Sequence, residues 1–400
     1  MLNNMIMNEK NILCSSEVTD LIKWANNFFG ESKIKRFVQR YKRSLSLSKY
    51  VYSEYYLKKL HPWSEALLKL NKKIDLLKDK DVVRFLTDIK MIKILENIIP
   101  HNLMIKYKRD LLDTENAVNF LFELQTAWQY YKNDFEIQWY IEDNKPEFEV
   151  RKNDILFDVE CKRINVDKQR QIKRSTFYRF IDCLLPLVKQ DGLSGKIELK
   201  FKGNIPKTDK ELKNICKQMS GLILKDNIVD QSTDVFTVSS NTFRADKIDL
   251  DFQKLAYDFY TQKPPNVYGI LITEDRFGNT VSPLEIIVSS MDQDHYLLGI
   301  YETLKNAITN QLQKNKAGLL SCFIPEIYDF SVLDEESSLF IMTRKLFLHE
   351  NFKHLVGIVY VSDQLYYKTN FGVKSSSPIL KLFNNNCEFL EVIPVVDSVK

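Results

Sequence analysis

Pro146-Glu147-Phe148-Glu149-Val150, a short turn, and then Phe157-Asp158-Val159-Glu160-Cys161-Lys162 decide how this chain is read. Side chains alternate faces along a strand. Asp158, Glu160 and Lys162 therefore share one face, and Phe157, Val159 and Cys161 share the other. Carboxylates and an amine aligned along an otherwise apolar strand are costly unless something binds them. A divalent cation suits the arrangement, because Mg2+ takes oxygen ligands and keeps several waters for chemistry. A Glu-x-Lys triplet by itself is a commonplace exposed strand face. Four features set this one apart: the proline before Glu147, the hairpin spacing to Glu160, the apolar alternate face, and Glu123 just upstream.

The flanking sequence supplies the frame. Thr114 is placed to cap a helix with Val118, Leu121, Leu124, Trp128 and Tyr131 on one stripe and Glu123 at its border. Three strands follow, over 135–141, 146–150 and 155–164, joined by polar turns at 142–145 and 152–154. A helix over 168–189 and a strand over 196–201 come next.

Glu123 on a helix, Pro146-Glu147 on one strand and Glu160-Cys161-Lys162 on the next resemble the PD-(D/E)xK, or restriction-endonuclease-like, nuclease superfamily. The resemblance covers residues 111–205 in detail. It implies an α/β (α+β) fold with a mixed sheet flanked by helices, and an α-β-β-β-α-β core. It also implies a Mg2+-dependent (or Mn2+-dependent) endonuclease. Glu147, Glu160 and the backbone carbonyl of Cys161 would hold the metal, Lys162 would act on the attacking water and the phosphate, and Glu123 would assist. The family usually has Pro-Asp where this chain has Pro-Glu147. Glutamate reaches the same metal from one methylene further back, and Glu149, two residues on, is the alternative ligand. The resemblance further implies nucleic acid as partner, DNA ahead of RNA, a homo-oligomer such as a dimer, and restriction or antiviral defence as the setting. A catalytically silent module of the same fold, binding nucleic acid or a partner protein, is the rival reading.

Bulk properties bound these expectations. A chain of 400 residues is long for one compact domain. Six cysteines, at 14, 161, 183, 216, 322 and 387, include no Cys-x-x-Cys pair, which argues against a zinc ribbon or disulfide framework and for a reducing cytoplasm. The first 16 residues lack the pattern of a signal peptide, and no apolar run reaches membrane-spanning length. The five histidines show no metal-ligand spacing. Eleven glycines in the whole chain argue against a nucleotide-binding loop.

The net charge of +4 is unevenly spread: residues 31–110 hold 20 Lys and Arg against 9 Asp and Glu. This front reads as helical over 16–29, 33–47 and 81–99, with Lys35, Arg36, Arg40 and Arg43 on the surface of the second helix. Such a front suits an electrostatic grip on a polyanion, or equally a set of solvated helix faces. Arg163, Lys168, Arg170, Lys173 and Arg174 follow the Glu-x-Lys strand and suit phosphate positioning, with a solvated helix face again the alternative. Tyr50, Tyr52, Tyr55 and Tyr56 read as core ahead of base-stacking, and Gln253 and Tyr257 as helix surface.

The expected organisation is a basic helical region over 1–110 and a nuclease-like domain over 111–400. The latter has its motif-bearing core at 111–205 and an elaboration at 206–400. A second register stays open. A helix near 301–312 and a strand at 318–324 would complete the core, and 165–296 would be an insertion.

Overall fold

A computed structural model describes residues 15–70, 75–142, 144–165, 167, 170–190, 193–224, 228–244, 259, 267–274, 280–292, 296–325, 338–362, 365–369, 372–376 and 378–399. In chain order the elements begin with helices α1 (Ser15–Phe29), α2 (Glu31–Leu47), α3 (Lys58–Leu60), α4 (Ser64–Lys69), α5 (Lys80–Leu95), α6 (His101–Asp110) and α7 (Ala117–Tyr131). Strands β1 (Glu136–Trp139), β2 (Phe148–Lys152) and β3 (Ile155–Arg163) follow. Then come α8 (Arg174–Gln190), β4 (Leu193–Phe201), α9 (Asp209–Ile223), β5 (Ile228–Ser232), β6 (Phe236–Arg244), β7 (Tyr268–Glu274) and β8 (Thr280–Ser290). The last stretch holds α10 (Tyr296–Asn310), β9 (Gly318–Phe323), α11 (Ser338–Phe347), β10 (Leu355–Val361), β11 (Leu365–Thr369), β12 (Gly372–Ser376), β13 (Ile379–Phe383) and α12 (Val392–Asp397). The class is mixed α/β. No helix among the described residues is long and apolar enough to cross a membrane.

The chain divides into two compact units. The first comprises Met1–Ser46, Lys58–Ile164 and Ile300–Lys400; the second comprises Leu47–Leu57 and Asn165–Gly299.

The first unit is built on a six-stranded sheet of order β1-β2-β3-β9-β10-β13. β1, β2 and β3 form an antiparallel meander. Lys152 pairs with Ile155, so the β2–β3 turn is Asn153-Asp154, and Asn153 takes the left-handed backbone (φ 54°) that asparagine tolerates. β9 then runs parallel to β3, and β10 parallel to β9. Central parallel strands are covered on both faces and read as continuous apolar runs. Gly318-Leu-Leu-Ser-Cys-Phe and Leu355-Val-Gly-Ile-Val-Tyr-Val fit that rule, and both are almost wholly buried.

Helices α1, α5, α6 and α7 share one apolar core with this sheet, so the basic front is not a region apart. The reason is visible on α5. Val82, Phe85, Leu86, Ile89, Ile92 and Leu95 are buried at helical spacing, and this stripe packs against α1, α4 and α7. Asp79 caps the helix by accepting from the amides of Asp81 and Val82. At α7 the expected cap, Thr114, is displaced: Asp113 accepts from the amides of Glu115 and Asn116, and the helix starts at Ala117.

The second unit carries a five-stranded sheet of order β5-β6-β4-β8-β7, with α8 and α9 against it. This corrects the placement of the 196–201 strand. It does not complete the sheet that holds β3 but pairs with β6 and β8. Ile197, Leu199 and Phe201 give β4 one apolar face. That face needs a covering helix but does not specify which sheet it joins. The boundary expected at 110/111 likewise differs from the observed division, which falls near the alternative of a long insertion. Tyr52, Tyr55 and Tyr56 lie on a π-helical turn (Tyr52–Leu57) and pack on the second unit's core, whereas Tyr50, also expected there, is exposed. Asp182 anchors that turn by accepting from the amides of Val51 (2.7 Å) and Tyr52 (2.9 Å).

Candidate active site

Strand register brings the acidic residues together. Phe148 pairs with Val159 and Glu149 with Asp158. The Glu147 amide donates to the Val159 carbonyl (3.1 Å), which carries the pairing one residue further and sets Glu147 beside Glu160. By alternation Glu147, Glu149, Asp158, Glu160 and Lys162 share a face, while Phe148, Val150, Phe157 and Val159 are fully buried in the core. Asp158 and Glu160 are also fully buried, and Glu147 and Lys162 are half-buried. Glu123 arrives from α7, where it accepts a hydrogen bond from the Tyr107 hydroxyl (3.1 Å).

The electrostatics show that these carboxylates feel one another. Burial pushes Glu160 up to about 8, and the negative charge of Glu147 adds to the rise. Burial likewise raises Glu147, with Lys162 and Lys106 opposing. Glu123 is raised well above the ordinary carboxylate range by burial and then by the charge of Glu147, with Glu160 contributing. Lys162 is subject to burial, which favours its neutral form, but the adjacent Glu160 outweighs that and keeps it an ammonium. Lys162 Nζ forms an ion pair with Glu160 Oε1, and the other Glu160 oxygen has no hydrogen-bond partner. The Cys161 thiol is on the core face and is pushed well up by burial, as expected for a packing residue rather than a nucleophile.

A second cluster, around Glu149 and Asp158, occupies the same face two residues away, and sequence reasoning did not anticipate the partners Tyr140, Gln313 and Lys316. Lys316 Nζ lies 2.6 Å from Glu149 Oε2, 3.1 Å from the Tyr140 hydroxyl and 4.0 Å from Asp158. Tyr140 donates to Asp158 (2.9 Å), and Gln313 Nε2 donates to the other Asp158 oxygen (3.0 Å). Gln313 and Lys316 come from the turn before β9, more than 150 residues along the chain from their partners. Only the parallel β3–β9 pairing brings them here, and no local pattern announces it.

Two half- or fully buried carboxylates repel each other, and one buried oxygen is unpartnered. Glutamate and main-chain oxygens are the hard ligands that Mg2+ takes. On that chemistry the residues fit. Among the described residues, no group of three His, Cys, Asp or Glu side chains is arranged to hold a metal ion. The expected set needs only Glu147, Glu160 and the Cys161 carbonyl.

The basic residues fare unevenly. Lys35, Arg36, Arg40 and Arg43 are exposed on α2, with Lys35 paired to Glu31 (2.6 Å). Arg163 is half-buried at the end of β3. Lys168, Gln253 and Tyr257 lie outside the described residues. Within the second unit Lys173 is exposed, but Arg170 is buried with its guanidinium over the Tyr268 ring (4.9 Å), and Arg174 pairs with Asp167 (3.4 Å). Arg170 and Arg174 are thus engaged with partners of their own within the second unit. His61 and His354 are buried and bonded to the carbonyls of Leu111 and Ile308.

No family model, curated protein or solved structure matches this chain.

Proposed function

We propose that this chain is a Mg2+-dependent nuclease of restriction-endonuclease-like fold that hydrolyses phosphodiester bonds, with DNA as substrate. The observation that carries the reading is the convergence of Glu123, Glu147, Glu160 and Lys162, with Glu160 fully buried yet only half satisfied. Perturbed carboxylates of this kind cluster at functional sites. Element order supports it too: α7 leads into the β1-β2-β3 meander, and α10 precedes β9, which lies parallel to β3.

A bound Mg2+ would supply an acidified water and neutralise phosphate charge. Glu147, Glu160 and the Cys161 carbonyl would hold it. The Lys162 ammonium, held charged by Glu160, would position the attacking water and stabilise negative charge developing on the phosphate. Glu123, raised by burial and by the charge of Glu147, would assist from α7, where it accepts from the Tyr107 hydroxyl. Exposed Lys35, Arg36, Arg40 and Arg43 would contact the nucleic-acid backbone.

One observation favours the silent rival: Lys162 already supplies Glu160 with a compensating charge from within the chain. The deciding experiment incubates the full chain with single- and double-stranded DNA and RNA, in Mg2+, Mn2+ or EDTA. Cleavage that needs the metal and is lost in both Lys162→Ala and Glu160→Ala supports the nuclease. Binding of nucleic acid with no cleavage under any metal supports the silent module.

A further inference from the structure

We propose that a cavity of about 170 Å³ in the first unit, on the sheet face opposite Glu160 and Lys162, binds a compact aromatic monoanion, a single ring bearing one carboxylate. This site is separate from the acidic cluster and does not depend on the nuclease reading.

Its position follows from strand register. Val359 pairs with Ser321, Val361 with Phe323, and Cys161 with Ser321. These residues therefore share the face of Cys161. Glu160 and Lys162 pair with Leu320 and Cys322 and point to the other side. Helices α5 and α7 supply further walls, and Val396 and Val399 near the C-terminal helix α12 supply another.

The ligand class follows from the charges. Arg84 and Lys381 line the cavity, against one carboxylate, Asp88. Asp88 is buried, and its two oxygens take hydrogen bonds from Trp63 Nε1 (2.8 Å) and Gln125 Nε2 (3.1 Å) rather than from Arg84. Arg84 Nε is buried with no hydrogen-bond partner. Lys381 is held by the carbonyls of Val396, Asp397 and Val399, at 3.1, 2.9 and 2.7 Å, and so ties down the wall beyond the cavity. No carboxylate is bonded to Arg84 among the described residues, and its Nε–H is without a hydrogen-bond partner. A single anionic acceptor answers both.

The ring follows from the walls and the size. Met91, Phe122, Trp128 and Phe323 present apolar and aromatic surface. A cavity of roughly 150 Å³ suffices for benzene, so the space here takes one ring with a small substituent and little more. Ligand sites of this kind pair apolar walls with a few fixed polar groups.

The test uses benzoate as probe on the full chain, read by calorimetry, thermal shift and tryptophan fluorescence. Benzoate should bind saturably at one site and raise the melting temperature, at least tenfold more tightly than benzyl alcohol or benzylamine. Arg84→Met, which keeps bulk but removes the charge, should weaken benzoate at least tenfold and leave benzyl alcohol unchanged. Val399→Trp, at a partly exposed position near the chain end, should fill the space and abolish binding whatever Arg84→Met does to folding. No saturable benzoate binding by the wild type overturns the proposal, as does binding that survives Val399→Trp. Benzylamine binding as tightly as benzoate overturns the anion assignment.

Discussion

Glu149 and Asp158 lie one pleat away from Glu147 and Glu160 on the same two strands, yet the two pairs are held differently. The first pair is closed. Lys316, Tyr140 and Gln313 bring an ammonium, a hydroxyl and an amide to its oxygens. Such a network lets buried carboxylates stay in a folded chain. The second pair is left short. Glu123 adds a third carboxylate to it, Lys162 pairs with Glu160, and among the described residues a buried Glu160 oxygen is unpartnered. A fold able to close the first pair this completely does not lack the means to close the second. Local rules of satisfaction are broken most readily where function requires it, and on the proposed reading that contrast separates scaffold from site on a single strand face.

The sharpest way to break the comparison is Lys162→Ala. Cleavage should fall by about 10²–10³-fold or more, the scale for removing a group that stabilises transition-state charge. Folding should change little, because Glu160, already raised to about 8, can take up a proton when its partner is lost. Circular dichroism alongside the cleavage assay checks both halves. Unaltered cleavage would place the chemistry elsewhere.

Lys316→Met should show the opposite pattern. It removes the ammonium from Glu149 and leaves two buried carboxylates relying on Tyr140 and Gln313. We expect a loss of about 1–3 kcal/mol in denaturant unfolding, the cost of an unsatisfied buried polar group. Any fall in cleavage should track the unfolded fraction. A variant as stable as wild type would mean the network is ornamental and the contrast empty.

The third prediction concerns pH in the absence of metal. Glu160 is raised in the folded chain to about 8 from the ordinary 4.5. The native state therefore holds a proton that the unfolded chain has released. Its contribution is fully present below about 4.5 and is lost as pH rises through about 8. Burial raises Glu123 and Glu147 in the same direction. In EDTA, the melting temperature of wild type should drop between pH 5 and 9 more steeply than that of Glu160→Gln. Parallel curves would show that Glu160 does not titrate in this window.

The alternation of β3 is local, so the shared face of Asp158, Glu160 and Lys162 was legible from two-residue periodicity alone. The helical stripes of α5 and α7 were legible for the same reason. Their partners were not, because an amphipathic stripe states that it must be covered and not by what. That is why the basic front was read as a separate region although it shares the sheet's core. The β3–β9 pairing is parallel and joins Asp158 to Gly318, far apart in the sequence. Gln313 and Lys316 stayed hidden behind it. The continuous apolar run of β9 was the available signal. A central parallel strand needs such a run, whereas the alternating 196–201 segment suits a sheet covered on one face.

The smallest effects should separate Glu147 from Glu149, the two ligands the sequence could not choose between. The structure distinguishes their surroundings. Glu149 is buried and held by Lys316 at 2.6 Å, with Arg151 at 3.8 Å. Glu147 is raised by burial, and its charge acts on both Glu123 and Glu160. Glu147→Asp should therefore keep part of the activity, within about tenfold of wild type, since it retains the carboxylate and shifts it by one methylene. Glu147→Ala should lose activity and weaken Mn2+ binding. Glu149→Ala should leave the chemistry nearly intact per folded molecule and cost stability instead, through a stranded Lys316. The measurement is turnover normalised to the folded fraction, with Mn2+ affinity by calorimetry. If Glu149→Ala abolishes turnover while Glu147→Ala does not, the closed pair and the open pair exchange roles. The ligand would then lie two residues further along β2, and Lys316 would act on the substrate in place of Lys162.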